Sequence, residues 1–220
     1  MPSKSFKFHG SIIKVLSGFG ASSPPLAITA ISKAAQAVVT AAGHGLDTGD
    51  VVKLDNIVGM TELNDGIYIV EYLTSSTFGL FGVDSTDYQT YVSGGTIQQG
   101  EYGPNFCELT SYNRSGAAAP NIDTSSMCST YQESERGLPG FGTLELGYKF
   151  APLTSVQQTL NELEASGDIT AVQVILPNNG GMRVHKGFVT QTSEQAGNGT
   201  IWTGTASLQL TGQSLDVEVE

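Results

Sequence analysis

The sequence predicts a mainly β protein: a sandwich or barrel with one flanking α-helix, and a small all-β domain inserted into it. Three observations carry that prediction. Charged residues make up only 14% of the 220, against 39% hydrophobic, so the surface must be rich in Ser, Thr, Asn, Gln and Gly. Such a composition suits short strands joined by tight turns. Short apolar runs recur along the chain, separated by turn residues, and only one stretch repeats its apolar residues at helical spacing.

SIIKVL, residues 11–16, reads as the first strand, and GFGASSPPL then breaks the pattern with two glycines and two prolines. That break reads as a linker. From residue 26 to 99 the runs AITAISK, AVVTAA, DVVKLDNI, GIYIVEYL, TFGLFGV and GGTIQQ alternate with turn signals at 43–45, 48–50, 64–66, 75–76 and 94–95. Strands this short at this spacing predict a small barrel. Asp65-Gly66 reads as a hairpin turn between ELN and IYIVEYL. The segment holds eight acidic residues against Lys33 and Lys53, about −6 of the total −11.

NFCELTSY reads as the next strand, with Cys107 packed as a small apolar residue. Residues 113–140 read as a long irregular stretch, and loops of that length are usually functional. GTLELGYKF places Leu144, Leu146, Tyr148 and Phe150 on one face of a half-buried strand. In PLTSVQQTLNELEASGD, Val156, Leu160 and Leu163 form one apolar stripe of a three-turn helix. Ser155 with Gln158 reads as a capping box, and Gly167 as the residue that ends the helix. AVQVILP, MRVHKGFVTQTSEQ and TIWTGTASLQLTG follow as antiparallel strands joined by Asn/Gly turns, with Trp202 as a packing residue at a strand end.

A net charge of −11, with no run of three basic residues, argues against a nucleic-acid clamp. The N-terminus has no apolar core long enough for a signal peptide, and no apolar run approaches a membrane span. The expectation is a protein made in a reducing cytoplasm, with Cys107 and Cys128 as free thiols. The strongest chemical candidate is AAGHGLDTGDVVKL, which places His44, Asp47 and Asp50 among Gly43, Gly45 and Gly49. A hydrolytic metal site draws its ligands from separate rigid elements, whereas these residues share one turn. The glycines supply backbone geometry and the aspartates cap, so the turn reading prevails. His185, between Arg183 and Lys186 on a strand, reads as a surface residue. Asn178-Asn179-Gly180-Gly181 is a hairpin turn, since no helix follows it as a phosphate loop requires. Glu133, Glu135 and Arg136 form a small charge run that suits either a solvated loop or an interface. No carboxylate pair or Ser–His–Asp order emerges, so neither an enzyme nor a cofactor or metal site is expected.

Residues 113–220 resemble the major tail tube proteins of long-tailed bacteriophages. The resemblance rests on SGAAAPNIDTSSMCSTYQESERGLPGFGTLELGYKF, the helix with Leu160 and Leu163, VQVILPNNGGMRVHKGFVTQTSEQ, and the closing TIWTGTASLQLTG. Within these lie Asp123-Thr124-Ser125, Ser129 to Glu133, Gly187-Phe188-Val189 and Leu210-Thr211-Gly212. The run from ITAISKAAQ through VSGGT, with GHGLDTGDVV at its centre, is similar to the first catalytic cysteine half-domain of ubiquitin-activating enzymes, in fold and not in activity.

The two resemblances imply a tail tube domain over residues 1–25 and 100–220, with residues 26–99 as an outward-facing insertion. They imply six subunits per ring, with rings stacked into a helical tube in the virion tail. DNA would pass through a negative lumen without specific binding and without a membrane. Tape measure, tail tip and tail terminator proteins would be the other partners. Asp123, Thr124, Glu133, Glu135 and Arg136 would lie at the subunit or ring interface. The alternative expectation is a tail or baseplate decoration protein that binds a host-surface glycan through the inserted module.

Overall fold

The computed structural model describes residues 6–20, 24–116 and 118–218. The part of the linker at residues 21–23 lies outside them. Strand accounts for 46% of the chain and helix for 7%, so the mainly β reading holds. One continuous path of antiparallel pairing runs through two groups of strands.

The first group comprises β2 (Leu26–Ala27), β3 (Ala30–Ile31), β4 (Val38–Thr40), β5 (Val51–Val58), β6 (Ile67–Thr74), β7 (Thr77–Leu80) and β8 (Ser93–Tyr102). Ser75 and Ser76 make the two-residue turn between β6 and β7. The Asp65-Gly66 turn does not join two strands as expected. ELN falls in and beside a 3-10 turn, Thr61–Leu63, and Asp65 at φ 58 leads from it into β6. That turn buries Leu63 under the small barrel, which a direct hairpin would not do. The core of this group contains Leu54, Met60, Leu63, Phe78, Leu80 and Ile97, and the apolar side chains that build it come from residues 26–97.

The second group comprises β1 (Ile12–Phe19), β9 (Leu109–Ser115), β12 (Thr143–Lys149), β13 (Ile169–Ile175), β14 (Met182–Gln195), β15 (Thr203–Leu210) and β16 (Leu215–Val217). Between β9 and β12 lie two short strands, β10 (Asn121–Asp123) and β11 (Ser134–Arg136), which pair with each other as a separate two-stranded sheet. Strict alternation builds β12 and β15: Leu144, Leu146 and Tyr148 face Leu208, Ala206 and Gly204 across the ladder, and all six are buried. Large opposite small lets the inner face fill without voids.

Helix α1 (Ser155–Ser166) buries Val156 and Leu160 in the same core. Thr154, not Ser155, is its N-cap, and the expected capping box does not form. Thr154 instead donates its hydroxyl to the Ala151 carbonyl. The entry is fixed by buried Gln157, whose side-chain oxygen accepts from the Ala151 amide at 2.9 Å and whose nitrogen donates to the Lys149 carbonyl at 2.9 Å. Gly167, left-handed at φ 72, ends the helix and donates its amide to the Leu163 carbonyl.

The two groups meet along β8 and β1. The first half of β8 pairs with β5, while residues 100–102 pair with Phe19, Gly18 and Leu16. A third apolar cluster, with Leu16, Val51, Ile69, Ala171, Val184 and Leu215, lies between the groups. Strand β13 is thus buried on both faces. Val172 and Val174 point into the body core, while Ala171 points to the junction.

Candidate functional site

The turn at residues 41–50 is built around its histidine. Gly43 and Gly45 sit at φ 63 and 60, and between them His44 folds inward until only 4% of it is exposed. Its Nδ1 accepts from the Leu46 amide at 3.0 Å, so the proton of the neutral ring is on Nε2, which donates to the Thr74 carbonyl at 2.8 Å. Its edge packs on Tyr72 and Phe78. Both ring nitrogens are engaged, and neither has a lone pair to offer a cation. Asp50, rather than Asp47, closes the turn: its carboxylate accepts from the Asp47 amide and from Gln99, both at 3.0 Å. Burial raises the Asp50 pKa above the usual carboxylate range. Among the described residues no three His, Cys, Asp or Glu side chains converge as a metal cage would require.

His185 does not sit at the surface as expected; it is 1% exposed. Its neighbours Arg183 and Lys186 suggested a solvated face, but the first half of β14, residues 182–189, is buried or half-buried on both faces, so alternation there does not lead to water. The Tyr112 hydroxyl lies 2.6 Å from its Nε2 and the Ser214 hydroxyl 2.6 Å from its Nδ1. A neutral ring needs one donor and one acceptor, and the two hydroxyls can supply both. Burial, with Arg114 and Arg183 adding to it, pushes the His185 pKa down to about 4. A Ser–His pair is the beginning of a nucleophilic dyad. A base of that pKa, held by a neutral tyrosine where a triad has a carboxylate, would be a weak one at neutral pH.

The expected interface residues come together on one feature. β10 and β11 form a β-ribbon arm, not an irregular loop, pairing Asn121 with Arg136, Ile122 with Glu135 and Asp123 with Ser134. Thr124 extends the pairing through its amide to the Glu133 carbonyl at 3.0 Å. The Asp123 carboxylate accepts from the Ser125 amide at 2.9 Å, and hydrogen bonding from Ser125 holds its pKa below the usual range. Ser125 Oγ in turn accepts from the Glu133 amide at 2.9 Å. These local side-chain bonds to backbone keep a ribbon with no core of its own in shape. Its large apolar side chains face water: Ile122, Met127, Tyr131 and Leu138 are all exposed, Leu138 at 92%.

Two further expectations are corrected nearby. Cys107 is exposed in the turn before β9, because Phe106, not Cys107, turns inward. Trp202 lies just outside β15, 56% exposed, with its ring 5.7 Å from that of Phe150. Cys128 sits exposed at the end of the arm.

Residues 34–101 match the family described as Ubiquitin-activating enzyme E1 FCCH domain. The match covers less than half of the chain and takes in β4 to β8 of the first group of strands, with β2 and β3 lying before it. No curated protein matches the chain.

The FCCH-type module is fixed to the rest of the chain by the far end of its glycine turn. Gly49, at φ 96, lies so close to β14 that a Cβ there would fall 2.3 Å from Met182 Cε. Lys186, also on β14, donates its ammonium to the Ile67 carbonyl of the module at 3.1 Å and lies 5.5 Å over the Tyr68 ring. Burial lowers the Lys186 pKa and raises that of Tyr68 to about 12. Sequence reasoning missed these contacts. A glycine before an aspartate reads as a turn, and nothing local says what approaches it.

Proposed function

We propose that the protein is a structural subunit of a phage tail tube, in which copies form hexameric rings that stack around a conduit for DNA. The observation that carries this reading is the arm. A ribbon with Ile122, Met127, Tyr131 and Leu138 in water is a poor feature for a monomer and a useful one for an assembling subunit. Edge strand β9 adds to it, because β12 pairs with only one of its sides. The sheet backed by a single helix is the architecture the tail tube resemblance implies.

Charge supports the same reading. With 21 acidic residues against 10 basic ones, phosphate is repelled more than held, as a conduit requires. The FCCH-type module would stand on the outside of the tube as an added surface, with no ubiquitin chemistry of its own. Negative-stain electron microscopy of the purified chain at rising concentration tests the proposal. Rings or tubes of regular repeat are expected. A protein that stays monomeric at every concentration, in sedimentation and in images, would remove it.

A further inference from the structure

A cavity of about 200 Å³ lies where the FCCH-type module meets the body. Ile69 and Phe81 of the module and Phe141 of the body give it apolar walls. Lys186, Thr211 and Gln213 give it polar ones. Three features of these walls point to the same kind of occupant.

The first is charge. In a chain of net charge −11, Lys186 is the one charged side chain lining the cavity among the described residues. The ion pairs among those residues, Lys53–Asp65 and Arg183–Asp216, leave it out. Burial lowers its pKa, and no carboxylate stands near enough to offset that. The Ile67 carbonyl takes one of its N–H bonds and the Tyr68 ring lies beside it, but neither carries the full negative charge that a desolvated ammonium calls for. The second is an unpaired hydroxyl. Thr211 Oγ1 is buried with no hydrogen-bond partner, which costs free energy until an acceptor reaches it. The third is size. At roughly 30 Å³ for each water-sized group, the cavity suits a ligand of about six heavy atoms.

We infer that the cavity binds a small monocarboxylate, with its oxygens on Lys186 and Thr211 and its short hydrocarbon tail on Ile69, Phe81 and Phe141. The carboxylate supplies the negative charge that Lys186 lacks, and a charge-assisted hydrogen bond forms in a site with little water. The apolar walls favour an acid with a tail over inorganic phosphate, whose remaining oxygens would be turned against side chains that cannot bond them. Because the walls come from both groups of strands, the bound acid fastens the module to the body and stabilises the chain by mass action. The inference stands on the junction alone and goes beyond the tube reading.

The test titrates the full chain with butyrate at constant ionic strength, read by calorimetry and by the rise of Tm with ligand concentration. Butyramide, of the same shape without the charge, and inorganic phosphate are the comparison ligands. Butyrate is expected to saturate a single site, with butyramide weaker by ~10-fold or more. Lys186→Met keeps an unbranched stem and removes the ammonium, and should weaken butyrate by ~10-fold or more. Lys186 also holds Ile67, so a second variant leaves it in place. A Cβ at Gly212, which lines the cavity, would meet only Lys186 Cε within 4 Å, at 3.6 Å. Gly212→Val should therefore fold, fill the cavity and abolish butyrate binding.

A wild type that shows no saturable butyrate binding would overturn the site. So would butyrate binding that survives in Gly212→Val or in a folded Lys186→Met, since the ligand would then sit elsewhere. Butyramide binding as tightly as butyrate would remove the role of charge, and phosphate binding in place of butyrate would remove the assigned class. None of these outcomes bears on the tube reading, which imaging of the assembled chain tests separately.

Discussion

His44 and His185 show how differently one residue type can be used at similar burial. His44 ties a turn to its own module through Leu46 and Thr74. His185 joins strands far apart in sequence through Tyr112 and Ser214. The second arrangement has a pH signature. Between pH 6.5 and about 4 the unfolded chain takes up a proton that the folded His185 refuses, so stability falls as pH drops through that window and levels off below it. The loss is roughly 1–3 kcal/mol. Asp216 and Glu164, held low by Arg183 and Thr192, lose their own stabilisation as pH falls through their folded pKa values. The informative comparison is with His185→Gln, whose amide can still bond both hydroxyls. Urea midpoints measured across this window should fall less steeply in the variant, and equal slopes would refute the assignment. The turn role of residues 43–50 was legible because glycine and aspartate act locally. The burial of His185 was not, because strand alternation says which residues share a face but not what covers it.

At the scale of elements, the helix is the clearest case. Its apolar stripe was readable from spacing, and Val156 and Leu160 are buried where it pointed. Its N-terminus was not, because a Ser-x-x-Gln pattern competes with a buried glutamine that reaches back to Lys149 and Ala151. Ser155→Ala is therefore expected to change stability by less than about 0.5 kcal/mol, while Leu160→Ala should cost about 2–5 kcal/mol. Denaturant unfolding of the two variants checks both, and a Ser155→Ala loss near 1 kcal/mol would restore the capping box. The helix is also tied to β14, where Glu164 accepts from the Thr192 amide at 3.0 Å and from its hydroxyl. The β-ribbon arm shows the opposite limit. Three-residue strands without an apolar alternation leave no period to detect.

At the scale of the whole molecule, the question is how tightly the FCCH-type module is bound to the body. The junction cluster shares apolar residues from both groups, and Lys186 crosses between them. The two are expected to unfold together. Calorimetry should show one transition, and two resolved transitions would mean that the junction is weak. Gly49→Ala tests the contact directly, since it adds a Cβ against Met182 at a backbone angle that L residues avoid. It should destabilise by roughly 1–3 kcal/mol. Met182→Ala should relieve the steric part and leave the backbone part, which a double-mutant cycle separates.

By itself the sequence determined what short-range physics decides: strand and helix periods, turns where glycine or asparagine permits a left-handed backbone, an acidic balance, and the existence of a separate small β unit. Only the tertiary structure decided which faces are covered. The three-dimensional packing buries His185, exposes Cys107 and Trp202, lays Gly49 against Met182, and leaves the arm open to water. The physical reason is that burial depends on what approaches a face from elsewhere in the chain, and residues distant in sequence leave no mark on the local pattern.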